Sequence, residues 1–218
     1  MARGSRSLSL ADKAYEAIKR RIITLDYRPG QFLNELSVCK LLKIGRMPVH
    51  QAMHRLMREG LVEVIPRKGV IVRPDSLNEI LELMEARWVL ESYCTGLAVE
   101  RASPRDVEEL GRLLRHARQH LDAHSIDEFM RADRAFHSRI AAAGNSILSD
   151  TLRTIYERAA RIWYLQVWTA ANFTQTQGEH EAILAAIKRG DKDGAVSAMQ
   201  THLTSLRRRI VRAPEGQG

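Results

Sequence analysis

The stretch that decides the fold of the N-terminal part is residues 31–60, QFLNELSVCKLLKIGRMPVHQAMHRLMREG. It predicts two short helices joined by a tight turn at Ile44-Gly45, because apolar residues recur at helical spacing on both sides of that turn. Gly45 is a candidate N-cap of the second helix, and Pro48 suits its first turn, where a missing N–H costs nothing. The residues expected to face inward are Leu36, Val38 and Leu41 on the first helix and Val49, Met53, Leu56 and Met57 on the second.

The outward face of the second helix carries long hydrogen-bond donors, as a helix that contacts bases in the major groove requires. The residues that follow predict a hairpin, because 61–66 alternates like a strand, 67–69 is a basic turn and 70–72 returns. Such a wing can contact a flanking phosphate or the minor groove. A helical hairpin with a solvated basic face is the alternative interpretation. The candidate DNA-binding residues are Arg46, His50, Gln51, Arg55, Arg67 and Lys68.

The positive charge of the chain is concentrated in this N-terminal part. The 218 residues carry a formal net charge of +8. Residues 1–73 hold 15 Lys and Arg against 6 Asp and Glu, so their net charge is +9 and that of the remainder is −1. A basic module joined to a neutral one indicates a polyanion-binding domain attached to a domain with a different task.

The composition is typical of a globular protein in a reducing compartment. Hydrophobic residues make up 44% of the chain and charged residues 28%. No apolar run approaches the roughly 18 residues of a membrane span, and the N-terminus has no apolar signal core. The two cysteines, Cys39 and Cys94, do not suggest a disulfide framework. We therefore expect a cytoplasmic protein with no membrane partner.

The predicted fold class is mainly α, with an N-terminal winged helix-turn-helix and a C-terminal all-α bundle of six or seven helices. The predicted parts are a flexible basic arm (1–10), the DNA-binding domain (11–73, with a first helix at 11–25), a linker (74–78), a helical domain for metal, effector and dimerisation (79–211), and a tail (212–218). Pro, Gly and Asn punctuate the helical pattern. The helices are predicted at 77–101, 104–123, 126–143, 146–171, 175–189 and 192–211.

Three helices of the C-terminal half carry metal-capable residues on their apolar stripes. Asp133 and His137 lie one turn apart on the stripe of 126–143, and His180 and His202 continue the stripes of two later helices. A buried unpaired carboxylate costs roughly several kcal/mol, a cost that a shared cation would remove. Carboxylate and imidazole ligands suit zinc as the leading candidate, with nickel, manganese and iron as alternatives. Hydrogen-bonded core histidines are the competing interpretation. His116, His120 and His124 are also spaced by four, but His116 and His120 fall on the other side of their helix and predict a solvated face.

A cation and a group of aromatic residues accompany this predicted site. Arg87 lies on the inner stripe of the first long helix, where it could pair with Glu91 or hold the carboxylate of a ligand. Trp163 lies near Tyr164 and Trp168, and such a cluster forms either core or the wall of a cavity. Asn145 begins a helix, a position that also suits a cap. The candidate effector-binding residues are Arg87, Asn145 and Trp163.

With these residues in hand, the chain resembles the GntR family of bacterial transcription regulators, in the FadR subgroup with an FCD ligand-sensing domain. The resemblance covers about residues 13–210. Six helices in the sensing half are similar to the VanR-like branch. The matching motifs are Pro29-Gly30, Gly45-Arg46-Met47-Pro48-Val49-His50-Gln51-Ala52, Gly60-Leu61-Val62 and Gly69 in the DNA-binding half, and Glu85-x-Arg87-x3-Glu91, Asp133-x3-His137, Gly144-Asn145, Glu179-His180 and Ala198-x3-His202-Leu203 in the sensing half.

The resemblance implies a homodimeric regulator, expected to be a repressor, that binds double-stranded operator DNA. A small organic acid that binds the metal and Arg87 would then weaken or strengthen this DNA binding. The family usually has Ser-Arg-Thr-Pro-Val-Arg-Glu at positions 45–51. This chain keeps Arg46 but has His50 in place of the second Arg, so we expect a different operator. Two alternatives remain at this point: a metal-dependent hydrolase, and an architectural DNA binder with a purely structural metal.

Overall fold

The chain divides into two compact units, Met1–Ser76 and Leu77–Gly218. The computed structural model describes residues 8–74, 76–122, 126–159, 161 and 170–212. Both the winged helix-turn-helix and the helical bundle that the sequence predicts are present, so the predicted fold class is confirmed. In the described part of the chain, no helix combines the length and the apolar composition that crossing a membrane requires.

The N-terminal unit consists of three helices and a small antiparallel sheet of strand order β1-β3-β2. Strand β1 was not predicted, because two residues cannot show alternation. The hairpin pairs Val62 with Val72 and Ile65 with Gly69, so the basic turn projects from its end. The elements are α1 (Leu10–Ile23), β1 (Phe32–Leu33), α2 (Glu35–Leu42), α3 (Arg46–Arg58), β2 (Val62–Ile65) and β3 (Gly69–Val72).

The turn between α2 and α3 forms through local backbone geometry. Lys43 ends α2 in the left-handed conformation, with φ of 54°, and Gly45 is the N-cap of α3, as predicted. The predicted inward face of α3 is also confirmed, because Val49, Met53 and Leu56 are all buried.

The predicted inward face of α2 is partly wrong. Leu36 and Leu41 are 59% and 54% exposed, whereas Val38 is buried. The inner face instead runs through Val38 and Leu42, which lie four residues apart and therefore stack on the same side of the helix.

The C-terminal unit shows six helices in its described residues. Their buried apolar residues form one large core, in which Phe129, Phe136 and Ile140 lie as predicted. The predicted helix 146–171 is confirmed over Ser146–Ala159, and residues 160 and 162–169 lie outside the described residues. The helix predicted at 175–189 begins earlier, at Ala170, because the two alanines that open it favour helix. The helices are α4 (Leu77–Arg101), α5 (Pro104–Asp122), α6 (Ile126–Gly144), α7 (Ser146–Ala159), α8 (Ala170–Arg189) and α9 (Lys192–Arg212).

Close packing of α6 against α4 depends on a glycine at the end of α6. A methyl group added at Gly144 would overlap the carbonyl oxygen of Cys94. The carbonyl oxygen of Gly144 also accepts a hydrogen bond of 2.8 Å from Arg101 Nη1. Together these contacts bring α6, which carries Asp133 and His137, against α4, which carries Arg87.

Candidate functional site

The histidine cluster, which we define as Asp133, His137, His180 and His202, brings together the four predicted metal ligands from three helices. His137 Nε2 lies 3.1 Å from His180 Nε2, which lies 3.4 Å from His202 Nε2. Asp133 Oδ1 lies 3.5 Å from His180 Nε2 and 4.0 Å from His137 Nε2. All three imidazoles are buried, with exposures of 1–2%.

The tautomers of two imidazoles follow from the carboxylates behind them. His137 Nδ1 lies 2.6 Å from Glu91 Oε2, and His202 Nδ1 lies 2.8 Å from Glu179 Oε2. An ionised carboxylate accepts hydrogen bonds but cannot donate them, so the Nδ1 next to it carries the proton of each ring. The lone pair of each Nε2 therefore points into the cluster. A metal ligand is held in this way when a second group fixes its other ring nitrogen.

The spacing of these nitrogen atoms fits one metal ion. With metal–nitrogen bonds of about 2.1 Å, two ligands of one ion lie ~3.0 Å apart at right angles and ~3.4 Å apart at tetrahedral angles. The observed 3.1 and 3.4 Å fall in this range. Converging lone pairs repel each other, so a cation bound between them would stabilise this arrangement.

The electrostatic surroundings keep these imidazoles ready to bind a cation. Burial lowers the pKa of His180 well below its ordinary value of 6.5, and the neighbouring His202 and His137 lower it further. Burial also lowers the pKa of His202, although its hydrogen bond to Glu179 acts in the opposite direction. A neutral imidazole is the form that binds a metal, so these shifts favour coordination.

The histidines receive unequal support from their neighbours. Among the described residues, His202 Nδ1 is hydrogen-bonded to Glu179 Oε2, and His137 Nδ1 lies 2.6 Å from Glu91 Oε2 without the alignment of a hydrogen bond. The buried Nδ1 of His180 has no hydrogen-bond partner among them. Glu179 in turn lies 3.3 Å from Arg209 Nη2. The roles of Glu91 and Glu179 toward the histidines were missed from the sequence, because both depend on contacts between different helices.

Arg87 lies beside the cluster in a buried ion pair. Its Nε donates to Glu91 Oε1 at 2.6 Å, and both side chains are about 2–3% exposed. Burial raises the pKa of Glu91, but the charges of Arg87 and His137 outweigh it and lower that pKa to about 2. The predicted pairing of Arg87 with Glu91 is confirmed.

A small cavity adjoins the cluster on the side of α6 and α7. Its volume is about 10 Å³, which corresponds to roughly one water molecule. The aromatic ring of Tyr156 forms part of its wall, with its centroid 5.4 Å from the guanidinium carbon of Arg87. Its other lining residues are Arg87, Met130, Asp133, Arg134, His137 and Ala159.

Two of the predicted effector-binding residues are not part of this cavity. Asn145 Oδ1 accepts from the backbone N–H groups of Ile147 and Leu148 at 3.0 and 3.1 Å, so it caps α7. The prediction that Asn145 binds the effector is corrected on this ground, since its side-chain oxygen is engaged by the helix terminus. Trp163 lies outside the described residues. His116 and His120, predicted to be solvated, are partly exposed near Glu128, and His124 lies outside the described residues.

The recognition face of α3, which we define as Arg46, His50 and Gln51, is exposed. The side chain of Arg46 is 76% exposed and its Nε lies 3.9 Å from Glu35 Oε2. His50 Nδ1 lies 2.8 Å from the other oxygen of Glu35, so Glu35 is a residue of this surface that sequence reasoning missed. Among the described residues, Arg46 and His50 therefore lie at the start of α3, beside the carboxylate of Glu35 at the start of α2.

The other predicted DNA-binding residues divide into two groups. Arg67 and Lys68 are exposed at the tip of the hairpin, as a wing requires. Arg55 instead lies with its guanidinium carbon 3.6 Å from the centroid of the Tyr15 ring, and it pairs with Asp12 and Glu59. Tyr15 and Asp12 lie on α1, whereas Glu59 is the C-cap of the helix of Arg55 itself. The role of Arg55 in DNA binding stays a prediction, and these contacts give it a structural role as well.

An exposed helix that follows a tight turn, together with a basic wing, defines a helix-turn-helix transcription regulator. Two family models match the chain: that of the bacterial regulatory proteins of the gntR family over residues 10–72, and that of the FCD domain over residues 82–205. The chain belongs to the GntR family of transcription regulators with an FCD domain.

Named relatives and solved structures agree with this membership. The chain is 27% identical over 187 residues to the Nta operon transcriptional regulator of Aminobacter aminovorans, covering 84% of this chain and 88% of the relative. It is 23% identical over 193 residues to the transcriptional repressor RspR of Escherichia coli, covering 88% and 85%. The fold is similar to that of E. coli McbR/YncC, with a TM-score of 0.84, 22% identity, and coverage of 94% and 99%.

Proposed function

We propose that the protein is an effector-responsive repressor whose C-terminal unit binds one divalent metal ion and a small organic acid. The observation that supports this most directly is the histidine cluster, in which lone pairs from three buried imidazoles converge beside Asp133. Zinc is the first candidate, and nickel, manganese and iron suit the same ligands. A bound ion would supply a Lewis-acidic centre with open positions for the oxygen atoms of an acid.

The DNA-binding part of the proposal uses the recognition face and the wing. Arg46 is the best-placed base-contacting residue, since Arg commonly forms two hydrogen bonds with guanine. His50 and Gln51 would contact neighbouring bases, while Arg67 and Lys68 would contact the backbone or minor groove. The net charge of +9 in residues 1–73 supports attraction to DNA before any base is contacted.

The proposal also includes a homodimer that acts in the bacterial cytoplasm. Two copies are needed to bind both half-sites of a palindromic operator. Helix α4 exposes Val89 and Tyr93, which lie one turn apart, with Trp88 beside them. An apolar surface of this kind suits a self-complementary contact. Sedimentation velocity measures the subunit number, and a monomer at micromolar concentration would contradict this part.

The proposed coupling is modest in energy. An effector needs only ~1.4 kcal/mol of differential affinity between two states of the protein to change operator occupancy tenfold. The fragments bound by the protein can be selected from sheared genomic DNA, and their affinity can then be measured by fluorescence anisotropy. A panel of organic acids should change that affinity in the metal-loaded protein, and no change with any acid would contradict effector control.

The metal itself is tested by native mass spectrometry of the purified protein. We expect one divalent ion per chain, and its loss in His137→Ala. His116→Ala is the matched control, because His116 also lies near a second histidine and a carboxylate, but at a partly exposed site. A chain that binds no added zinc or nickel, or that loses the ion in His116→Ala but not in His137→Ala, would overturn the metal assignment.

A further inference from the structure

The cavity beside the histidine cluster has a second cation that the proposed metal–Arg87 site leaves unassigned. Arg134 lies on α6, directly after the proposed ligand Asp133, and it lines the same cavity as Arg87 and His137. Its side chain is 33% exposed, so it lies at the edge of the cavity and not in its interior. The cavity wall therefore carries positive charge at two separate places.

The partner of Arg134 is a carboxylate from the opposite helix. Arg134 Nη1 lies 3.4 Å from Oε2 of Glu157, a residue of α7 whose side chain is 16% exposed. A glutamate that meets a cavity-lining arginine has the same chemistry as an acidic group on a bound molecule. The carboxylate of Glu157 is thus the same type of group that Arg134 would bind in a ligand.

The two arginines of the cavity differ in how firmly their partners hold them. Arg87 and Glu91 are both buried and lie 2.6 Å apart, so separating them would leave a buried charge without compensation. The contact of Arg134 with Glu157 is longer and reaches solvent, and such pairs contribute little to stability. Arg134 can therefore exchange its partner for a ligand, whereas Arg87 stays with Glu91.

The size of the cavity gives this exchange a structural consequence. As the described residues enclose it, the cavity has a volume of about 10 Å³, which is smaller than an organic acid, and Arg134 and Glu157 lie on its α6 and α7 sides. Among the described residues, the pair of Arg134 and Glu157 links these two helices at the cavity. A ligand that replaces Glu157 would remove this link and restore the charge balance of Arg134.

We propose that Arg134 binds a second acidic group of the effector, that Glu157 occupies the place of that group in the ligand-free protein, and that the site therefore prefers dicarboxylic to monocarboxylic acids. This inference rests on the proposed function, in which the first carboxylate binds beside the metal and Arg87. It names the class of effector, and it makes Arg134 a specificity-determining residue.

The inference is tested by calorimetric titration of the zinc-loaded full-length protein with butyrate, succinate and glutarate, with metal content measured after each titration. The wild type should bind one of the two dicarboxylates at least about tenfold more tightly than butyrate, as expected for one additional charge-assisted hydrogen bond. Arg134→Met should remove this preference, because it should lower the affinity for dicarboxylates by about tenfold more than the affinity for butyrate. Glu157→Gln should tighten dicarboxylate binding, because the internal competitor is gone.

Two further variants separate specificity from loss of structure. Arg131→Met is the matched control, since Arg131 lies on the same helix and pairs with the carboxylate of Glu128 at 3.1 Å, but with a side chain that is 67% exposed. It should retain the preference, and Arg134→Lys should retain part of it because the charge remains.

The possible results distinguish this inference from the function on which it rests. If Arg134→Met keeps the full preference for dicarboxylates, or if the wild type has no such preference, the role of Arg134 is overturned while a carboxylate effector stands. If the metal-loaded wild type binds none of the three acids, the small-carboxylate effector and this inference fail together.

Discussion

Replacing Glu91 by Gln should strongly destabilise the C-terminal unit. Glu91 lies between two buried groups, with Oε1 2.6 Å from Arg87 Nε and Oε2 2.6 Å from His137 Nδ1. The substitution keeps the size of the side chain but removes its charge. Glu91 then no longer supplies its negative charge to the buried Arg87, which is the costly result of breaking a buried pair.

The magnitude follows from the pKa of the carboxyl group. Interactions in the folded protein lower the pKa of Glu91 from 4.5 to about 2. Each pH unit corresponds to about 1.4 kcal/mol, so the ionised form gains about 3 kcal/mol on folding. This agrees with the roughly 3–5 kcal/mol measured when one partner of a buried ion pair is removed.

The sign of the pH dependence follows from the same values. Because the folded-state pKa is lower than the unfolded one, this contribution is fully present above about pH 4.5 and is lost as the pH falls toward 2. The difference between wild type and Glu91→Gln should therefore be constant near neutral pH and shrink in acid.

The assay is urea unfolding followed by circular dichroism, with chelator present so that metal binding does not contribute. Glu109→Gln is a matched control, because Glu109 also lies 2.6 Å from an arginine, Arg112, but both side chains are well exposed. That variant should leave the free energy of unfolding nearly unchanged. The double variant Arg87→Met/Glu91→Gln should recover much of the loss, since the buried cation is removed together with the carboxylate.

A loss of less than about 1 kcal/mol in Glu91→Gln would refute this reasoning. So would a double variant that is as unstable as the single one. Either result would mean that Arg87 finds compensation elsewhere, and that Glu91 does not hold it beside the cavity.

Three further predictions concern other parts of the molecule. Arg46→Ala should lower the affinity for a selected DNA fragment by about 1–3 kcal/mol while weak, salt-sensitive binding survives, and fluorescence anisotropy would measure it. Arg55→Ala should instead lower the melting temperature of the N-terminal unit, which thermal unfolding would measure. Gly144→Ala should cost about 1–3 kcal/mol, because its methyl group overlaps the backbone of Cys94, and chemical unfolding would measure it. Metal-free protein should lose stability as the pH falls through about 6.5, because unfolded histidine binds a proton that buried His180 does not, and unfolding at pH 7.5 and 5.5 would measure it.

Each of these predictions has an outcome that contradicts it. If Arg46→Ala keeps the sequence preference of the wild type, Arg46 does not contact bases. Wild-type stability in Gly144→Ala would mean that α4 and α6 separate without cost. Equal stability at the two pH values would indicate that His180 binds a proton as readily in the folded protein as in the unfolded one.

The sequence predicted the convergence of the four side chains of the histidine cluster well and the groups that support them poorly, for a physical reason. Helical periodicity places Asp133, His137, His180 and His202 on inward stripes, because the direction of a side chain on a helix depends only on its position. The role of Glu179 depends instead on how α8 packs against α9. Such a contact is set by tertiary structure, and no local pattern contains it.

The DNA-binding unit shows the same distinction. The turn and the hairpin follow from local residues, so Gly45 and the basic tip were predicted. Arg55 was assigned to DNA because its helix position is outward, and its contacts with Tyr15 and Asp12, which are about 40 residues earlier in the chain, were missed. The prediction that Leu36 and Leu41 face inward was wrong, because an eight-residue helix has too few turns to define its apolar face.

The exposure of the recognition face has a consequence for the evolution of this regulator. Arg46 and Gln51 carry almost none of the packing of their unit, whereas Val49 and Leu56 on the same helix are buried. Mutations at the outward positions therefore change the operator without threatening folding. A duplicated gene could acquire a new set of target promoters through a few such substitutions while inheriting an intact FCD domain.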